Sequence, residues 1–197
     1  MRIFLVSLFV VIADQISKIF VKGLEIHSLG IKIKGMFPGQ RIPVIKNFFN
    51  ITFVENPGIA FGINFGSNFK FLVTLFTLLT CIGLIIFLYR SREKNLSVRI
   101  SLALILGGAV GNLVDRVFYG VIYGYAPLFY GKVVDFCDFR LFSFYMFHRT
   151  LGNYIFNFAD LSVTTGVIIL FYALNKQRST AVNSDHPIEE YLADNKE

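Results

Sequence analysis

The sequence predicts an all-α polytopic membrane protein, four transmembrane helices with a small sheet on the outer side of the bilayer. Composition is the first reason. Of 197 residues 54% are hydrophobic and 16% charged, against roughly 25% charged in a soluble domain. The second is one uncharged run, Phe71 to Tyr89, bounded by Lys70 and Arg90, which is long enough to cross the hydrocarbon core as a helix. The third is a set of polar residues, Asp14, Lys18, Asn112, Asp115, Asn157 and Asp160, that recur where apolar spans should have none. This composition excludes disordered, collagen-like and disulfide-scaffold classes.

The first span is Met1 to Val21. Arg2 and the apolar stretch Ile3 to Ala13 could belong to a signal peptide, but no small-x-small cleavage site follows, and apolar residues resume at Ile16, Ile19, Phe20 and Val21. A retained helix carrying Asp14 and Lys18 four residues apart on one face is the expectation. Next comes Val44 to Val54, rich in β-branched and aromatic residues and followed by the turn residues Asn56-Pro57-Gly58, which suggests strands. Phe71 to Tyr89 is the second span. The third and fourth are shorter uncharged runs, Ile100 to Val114 and Leu161 to Asn175. Each gives about 22 Å of helix, short of a ~30 Å core, so Asp115 and Asp160 fall in or at the edge of the membrane. On the third, Gly108, Asn112 and Asp115 form one stripe with Arg116 next, and Gly107 and Gly111 permit a close helix crossing. On the fourth, Asn157, Asp160 and Thr164 share a face.

The loop between spans two and three holds Arg90, Arg92, Lys94 and Arg99 against Glu93, which places it and both termini in the cytoplasm. The surplus of 19 Lys+Arg over 13 Asp+Glu is read as membrane flanks, so no nucleic acid partner is expected. The segment Phe118 to Phe147, loaded with Phe and Tyr, should lie along the outer interface. Counting 1.5 Å per residue from Arg99 and Lys176 sets Asp115 and Asp160 both about 24 Å from the inner boundary. Asp14 and Lys18 lie close below, and Asp135 and Asp138 can reach the same level from above.

Carboxylates gathered on one leaflet could be paired structural charges. They could be a transporter's proton sites, though those usually lie near the midplane. Or two could share a proton and activate water, as in an aspartic protease. By depth alone Asp115 pairs with Asp160. Other nucleophiles fit less well. Ser17 and Lys18 are adjacent and point apart, no G-x-S-x-G is present, and Cys137 has no neighbouring His, which leaves only a spatial pairing with His148 open. The three histidines lack metal-ligand spacing, and no metal is expected.

Five motifs then occur in order: Asp14-Gln15-Ile16-Ser17-Lys18, Asn56-Pro57-Gly58-Ile59-Ala60-Phe61, Gly111-Asn112-Leu113-Val114-Asp115-Arg116, Val133-Val134-Asp135-Phe136 and Phe156-Asn157-Phe158-Ala159-Asp160. Together they resemble the lipoprotein signal peptidase (signal peptidase II) family of bacterial inner-membrane proteases. The resemblance implies a four-helix aspartyl protease with an outer β-cradle and an interfacial amphipathic helix, which removes signal peptides by cutting before a cysteine bearing diacylglycerol. It assigns catalysis to Asp135 and Asp160, in place of the Asp115–Asp160 pairing. Asp14, Lys18, Asn56, Gly108, Asn112, Asp115, Arg116 and Asn157 become substrate-binding or supporting residues. The expected partners are diacylglyceryl prolipoproteins and membrane lipid, with no cofactor, and a monomer is expected. The expected domain is residues 1–176, with a cradle at about 40–66 and an outer aromatic loop at about 118–153, followed by a flexible cytoplasmic tail at 177–197. Against that pattern the intervals from Asp115 to Asp135 and from Phe139 to Asn153 look extended. The competing class is a small proton-coupled transporter.

Overall fold

The computed structural model describes residues 2–26, 30–58, 67–146 and 149–185. Helix α1 (Phe4–Lys22) buries Ser7, Val10, Asp14, Lys18 and Val21, the alternating three- and four-residue spacing of one helical face. Gly23 ends it at φ +81°, and its N–H bonds the Ile19 carbonyl at 2.8 Å. A Cβ at Gly23 would stand 2.6 Å from the Gly35 nitrogen, so both conformation and space demand glycine there. Strands β1 (Leu24–Ile26) and β2 (Ile31–Ile33) form an antiparallel pair. Strands β3 (Arg41–Ile45) and β4 (Phe49–Asn56) follow. Helices α2 (Ser67–Arg90) and α3 (Leu96–Val114) come next. The α3 helix continues through a π-helical turn, Asp115–Tyr119, into the short α4 (Gly120–Ile122). The chain then forms β5 (Val133–Met146), β6 (Arg149–Phe156) and α5 (Phe158–Asp185).

Among the described residues, four helices are long and apolar enough to cross a membrane: Phe4–Lys22, Asn68–Arg90, Leu96–Ile122 and Phe158–Arg178. Their outward faces are apolar and bare, with Phe9 68%, Phe76 72% and Phe171 68% exposed. That surface would be costly in water and is favourable in lipid. Inside, α3 lies between α1 and α5, and glycines set the approach on both sides. A Cβ at Gly107 would sit 2.7 Å from the Val10 Cβ, and one at Gly108 would collide with the Ala159 carbonyl. Ser7 also donates to the Ala103 carbonyl at 2.8 Å. Close backbone approach replaces side-chain interdigitation at these crossings. One apolar core, with Leu88, Leu102 and Leu106, fills the Arg90–Arg99 end of the bundle; a second, with Val21, Phe53, Tyr119 and Val134, joins the helices to the sheet.

The larger sheet is antiparallel in the order β3-β4-β5-β6, so it draws two strands from each outer segment. The cradle therefore does not end at about residue 66. The stretch read as an aromatic loop at 118–153 contributes β5 and most of β6, because its β-branched and aromatic residues let β5 pair with β4 and β6 pair with β5. In the extended interval from Phe139 to Asn153, the residues up to Met146 lie on β5 and those from Arg149 on β6. Among the described residues of this stretch, 123–132 form a loop that folds back on the π-helical turn. The Gly131 and Phe129 N–H groups bond the Arg116 and Val117 carbonyls at 2.8 and 3.1 Å. The aromatic side chains stitch this loop down: the Tyr123 hydroxyl donates to the Gly23 carbonyl at 2.7 Å, and the Phe71 ring meets those of Phe129 and Tyr130.

Two boundaries move. The third span is longer than the uncharged run Ile100 to Val114, because helical hydrogen bonding continues past Asp115 and Arg116 to Ile122. Helix α5 runs on past residue 176 to Asp185, since polar residues sustain a helix as well as apolar ones do. Residues 186–197 lie outside the described residues. No interfacial amphipathic helix occurs among the described residues of the outer segments, and residues 59–66, with the end of the Asn56–Phe61 motif, lie outside them.

The glycine crossing is open to test. Gly107→Leu forces bulk against Val10 and the Ser7 carbonyl, and overpacking of this kind costs about 1–3 kcal/mol. The expected outcome is a lowered thermal midpoint in detergent. A Leu at Gly83, where an added Cβ meets nothing within 4 Å, should leave the midpoint in place.

Candidate active site

At the sheet end of the bundle the helices place polar side chains on one another, centred on Lys18. Its Nζ lies 2.7 Å from Asp14 Oδ2 and 2.8 Å from Asp115 Oδ2, with all three side chains fully buried, and it donates to Asn112 Oδ1 at 3.0 Å. The carboxylates of the cluster accept further hydrogen bonds. Asp14 Oδ1 accepts the Ala159 N–H at 3.0 Å, Asp115 Oδ2 the Val134 N–H at 3.1 Å, and Asp115 Oδ1 the Gln15 amide at 2.9 Å. Gln15 also donates to the Gly111 carbonyl at 3.0 Å, and its Oε1 accepts the Tyr119 hydroxyl at 3.1 Å. A Cβ at Gly111 would stand 2.7 Å from Asp14 Oδ2, so the missing side chain is what admits the carboxylate.

Asp135 and Asp160 lie beside this cluster and meet through Asn157. The Asn157 amide donates to Asp135 Oδ1 at 2.7 Å and to Asn112 Oδ1 at 3.0 Å. Its Oδ1 accepts the Asp160 N–H at 2.9 Å, and the Asp160 carboxylate accepts the Asn157 N–H at 3.2 Å. That reciprocal pair is a capping box at the start of α5, so the helix terminus itself orients Asp160. Asn112 Nδ2 donates to Asp160 Oδ1 at 2.8 Å. Asn56 Nδ2 donates to Asp135 Oδ2 at 3.1 Å, and Asn56 Oδ1 accepts the Gly58 N–H at 2.9 Å. Val54 pairs with Asp135 and Asn56 with Val133, which makes Asn56 the diagonal neighbour of Asp135 on one face. The Arg116 guanidinium stands 3.0 Å from where a Gly58 Cβ would be, and its charge reaches Asp115, Asp135 and Asp160.

The expected residues thus converge, Gly108 included, whose bare backbone brings α5 against α3. The pairing of Asp115 with Asp160 from depth is not the arrangement found, because Lys18, Gln15 and the Val134 N–H occupy the Asp115 oxygens. Asp138 does not join the site either. It lies three residues beyond Asp135 on a regular stretch of β5, hence on the other face, where it accepts from Thr52 at 2.8 Å and faces Arg41 at 3.1 Å. Ser17 donates to the Asp14 carbonyl at 2.7 Å while Lys18 turns to Asp14 and Asp115, so the two form no dyad. Sequence reasoning passed over Gln15 and Tyr119. The Gln15 side chain could have been suspected as a polar residue beside Asp14, whereas nothing in the spacing marks Tyr119.

Burial, together with the nearby Asp160 charge, pushes the Asp135 carboxyl up to about 7 against the opposing effects of Asn56, Asn157 and Lys18. Burial likewise raises the Cys137 thiol to about 11, which leaves it protonated at neutral pH and a poor nucleophile. His148 lies outside the described residues. Beyond the site, burial would raise Glu55, but Lys132 and Lys22 overcome this and hold it below the usual carboxylate range. No group of three or more His, Cys, Asp or Glu side chains suited to a metal occurs among the described residues.

Fold and site define a multi-pass membrane protein with one buried and one half-buried carboxyl group held against one asparagine where the helices meet the sheet. The signal peptidase (SPase) II family model matches residues 6–176. A lipoprotein signal peptidase of Porphyromonas gingivalis is 32% identical, across 94% of this chain and 88% of that protein. One from Desulfitobacterium hafniense is 36% identical, across 77% and 89%. Among solved structures, a bacterial membrane enzyme obtained by the in meso method superposes with a TM-score of 0.64 at 32% identity, covering 91% of this chain and 90% of that one. The chain belongs to the signal peptidase II family, and it is a membrane peptidase by that membership.

Two outcomes follow from the site's electrostatics. Lys18→Met removes the cation from two buried carboxylates, a loss worth about 3–5 kcal/mol, and should abolish the folded protein's resistance to heating in detergent. Asp135, whose pKa is raised by folding, contributes stability that is complete below about 3.9, its ordinary value, and is lost as pH rises through about 7. Thermal midpoints should therefore fall between about pH 5 and about pH 8 in the wild type, and Asp135→Asn should flatten that fall.

Proposed function

We propose that the protein is an aspartic lipoprotein signal peptidase in which Asp135 and Asp160 activate water to cut a diacylglyceryl prolipoprotein before its lipidated cysteine. One observation carries this reading. Asp135 and Asp160 are both held by Asn157, whereas Asp14 and Asp115 are committed to Lys18. An Asp135 carboxyl near 7 suits a pair that holds one proton between two oxygens at neutral pH.

The chemistry then balances with water as the only co-reactant. The ionised carboxyl takes a proton as the water oxygen bonds to the scissile carbonyl carbon, and the protonated carboxyl gives its proton to the carbonyl oxygen. The resulting gem-diol collapses as the C–N bond breaks, one proton passes to the departing nitrogen, and the other returns to the pair. Asn56 and Asn157 orient Asp135, Asn112 orients Asp160, and Arg116 supplies positive charge beside both. Asp14, Lys18, Asp115 and Gly108 hold the elements that carry them. No metal or cofactor enters these steps.

The substrate and location follow the same reading. A site where the spans meet the sheet meets a bond at the membrane surface while the acyl chains of the cysteine stay in lipid. The basic turn Arg90 to Arg99 supports a cytoplasmic location for that end and both termini, with the site at the outer face of a bacterial inner membrane. The protein acts as a monomer whose partners are its prolipoprotein substrates and lipid. A proton-coupled transporter receives no support from the family.

Asp135→Asn and Asp160→Asn should each lower cleavage of a lipidated prolipoprotein at least about a hundredfold, with both variants still inserted and folded. Near-wild-type cleavage by either would sink the dyad. In the wild type, cleavage should decline as pH rises through about 7, because the pair then loses its last proton. Equal rates on lipidated and unlipidated substrate would overturn the substrate assignment and leave the dyad standing.

A further inference from the structure

At the end of the bundle opposite the carboxylates, a cavity of about 210 Å³ opens between the start of α1, the end of α2 and the start of α3. It is lined by Ile3, Phe4, Leu88, Tyr89, Arg92 and Arg99. Its walls are mostly apolar, yet two guanidinium groups face it. The Arg99 Nε is buried and has no hydrogen-bond partner among the described residues. A buried donor without a partner is costly, and more so when it carries charge. Arg99 also lies near the N-terminal end of α3, where the helix dipole disfavours a cation. The start of α1 meets the same cavity, with no side chain capping it and no acidic residue in its first turn. Arg92 is 65% exposed, is only loosely paired with Glu93 at 3.6 Å, and covers the Tyr89 ring. These groups share one unmet need, an anion.

We infer that this cavity binds the phosphate headgroup of an anionic phospholipid from the adjoining leaflet, with Arg99 and Arg92 on the phosphate. A soluble anion would satisfy the charge but not the apolar walls. From Phe4 the lipid-facing surface of α1 continues directly through Leu5, Leu8 and Phe9, exposed by 62%, 53% and 68%, which gives an acyl chain a path into the bilayer. Guanidinium groups match a phosphate with paired N–H donors. The headgroup would also tie the α2–α3 turn to the first turn of α1, which the sheet does not reach. The inference is independent of the peptidase mechanism, since the site lies at the other end of the helices.

The test uses the full chain in detergent, with bound lipid counted by native mass spectrometry. Phosphatidylglycerol should bind about tenfold more tightly than phosphatidylcholine, and Arg99→Gln or Arg92→Gln should each remove most of that preference. Arg99→Lys, which keeps the charge without the planar fork, should retain part of it. The exposed Arg178→Gln in α5 should change nothing. Equal binding of the two lipids, a preference that survives both glutamine variants, or displacement of the lipid by millimolar inorganic phosphate would each overturn the proposal. If Arg99→Gln does not fold, Arg92→Gln and Arg99→Lys decide the matter.

Discussion

The structure depends on one buried ammonium group. Lys18 sits with no exposure between Asp14 on its own helix and Asp115 on α3, and it reaches Asn112 as well. A cation so placed has lost its water, and only close, complete pairing compensates for that loss. The pairing in turn dictates where other segments stop. The Ala159 N–H must reach Asp14, the Val134 N–H must reach Asp115, and Gly111 must lack a side chain so that Asp14 fits. Helix α5 and strand β5 are positioned by hydrogen bonds to the carboxylates that Lys18 holds.

Asp135 and Asp160 inherit their positions from this arrangement. Val134, the residue before Asp135, is anchored by its own N–H, and Ala159, the residue before Asp160, is anchored in the same way. Asn157 and Asn112 then link the two clusters without adding charge. A neutral amide suits this place because it donates to the Asp135 carboxyl group and accepts the Asp160 N–H without setting a charge between them. The aspartates left without a cation of their own are those whose reactivity the proposed chemistry needs.

Much of this was legible along the chain. The spans follow from runs of apolar residues, the α1 stripe from its spacing, and the meeting of polar groups at one level from counting residues between charged ends. The resemblance named residues that the structure brings together at the sheet end of the bundle. Legibility failed wherever a segment's structure depended on a remote partner. The segment Phe118 to Phe147 reads as interface anchors, yet from Val133 to Met146 it is strand, because β4 offers an edge for it to pair with. Asp115 and Asp160 share a depth, but depth says nothing about which neighbour occupies a lone pair. Gln15, polar and next to Asp14, carried a weak signal; Tyr119, one aromatic residue among many, carried none.

By itself, the sequence determined that this chain crosses a membrane four times and which few charged residues it places inside. Both are local properties, set by hydropathy and helical spacing. Only the tertiary structure decided how those charges divide, with Asp14 and Asp115 committed to Lys18, Asp135 and Asp160 held by asparagines, and Asp138 turned to the opposite face of its strand. The reason is that hydrogen bonds between residues about a hundred positions apart obey distance and direction in space, and no period along the chain records them.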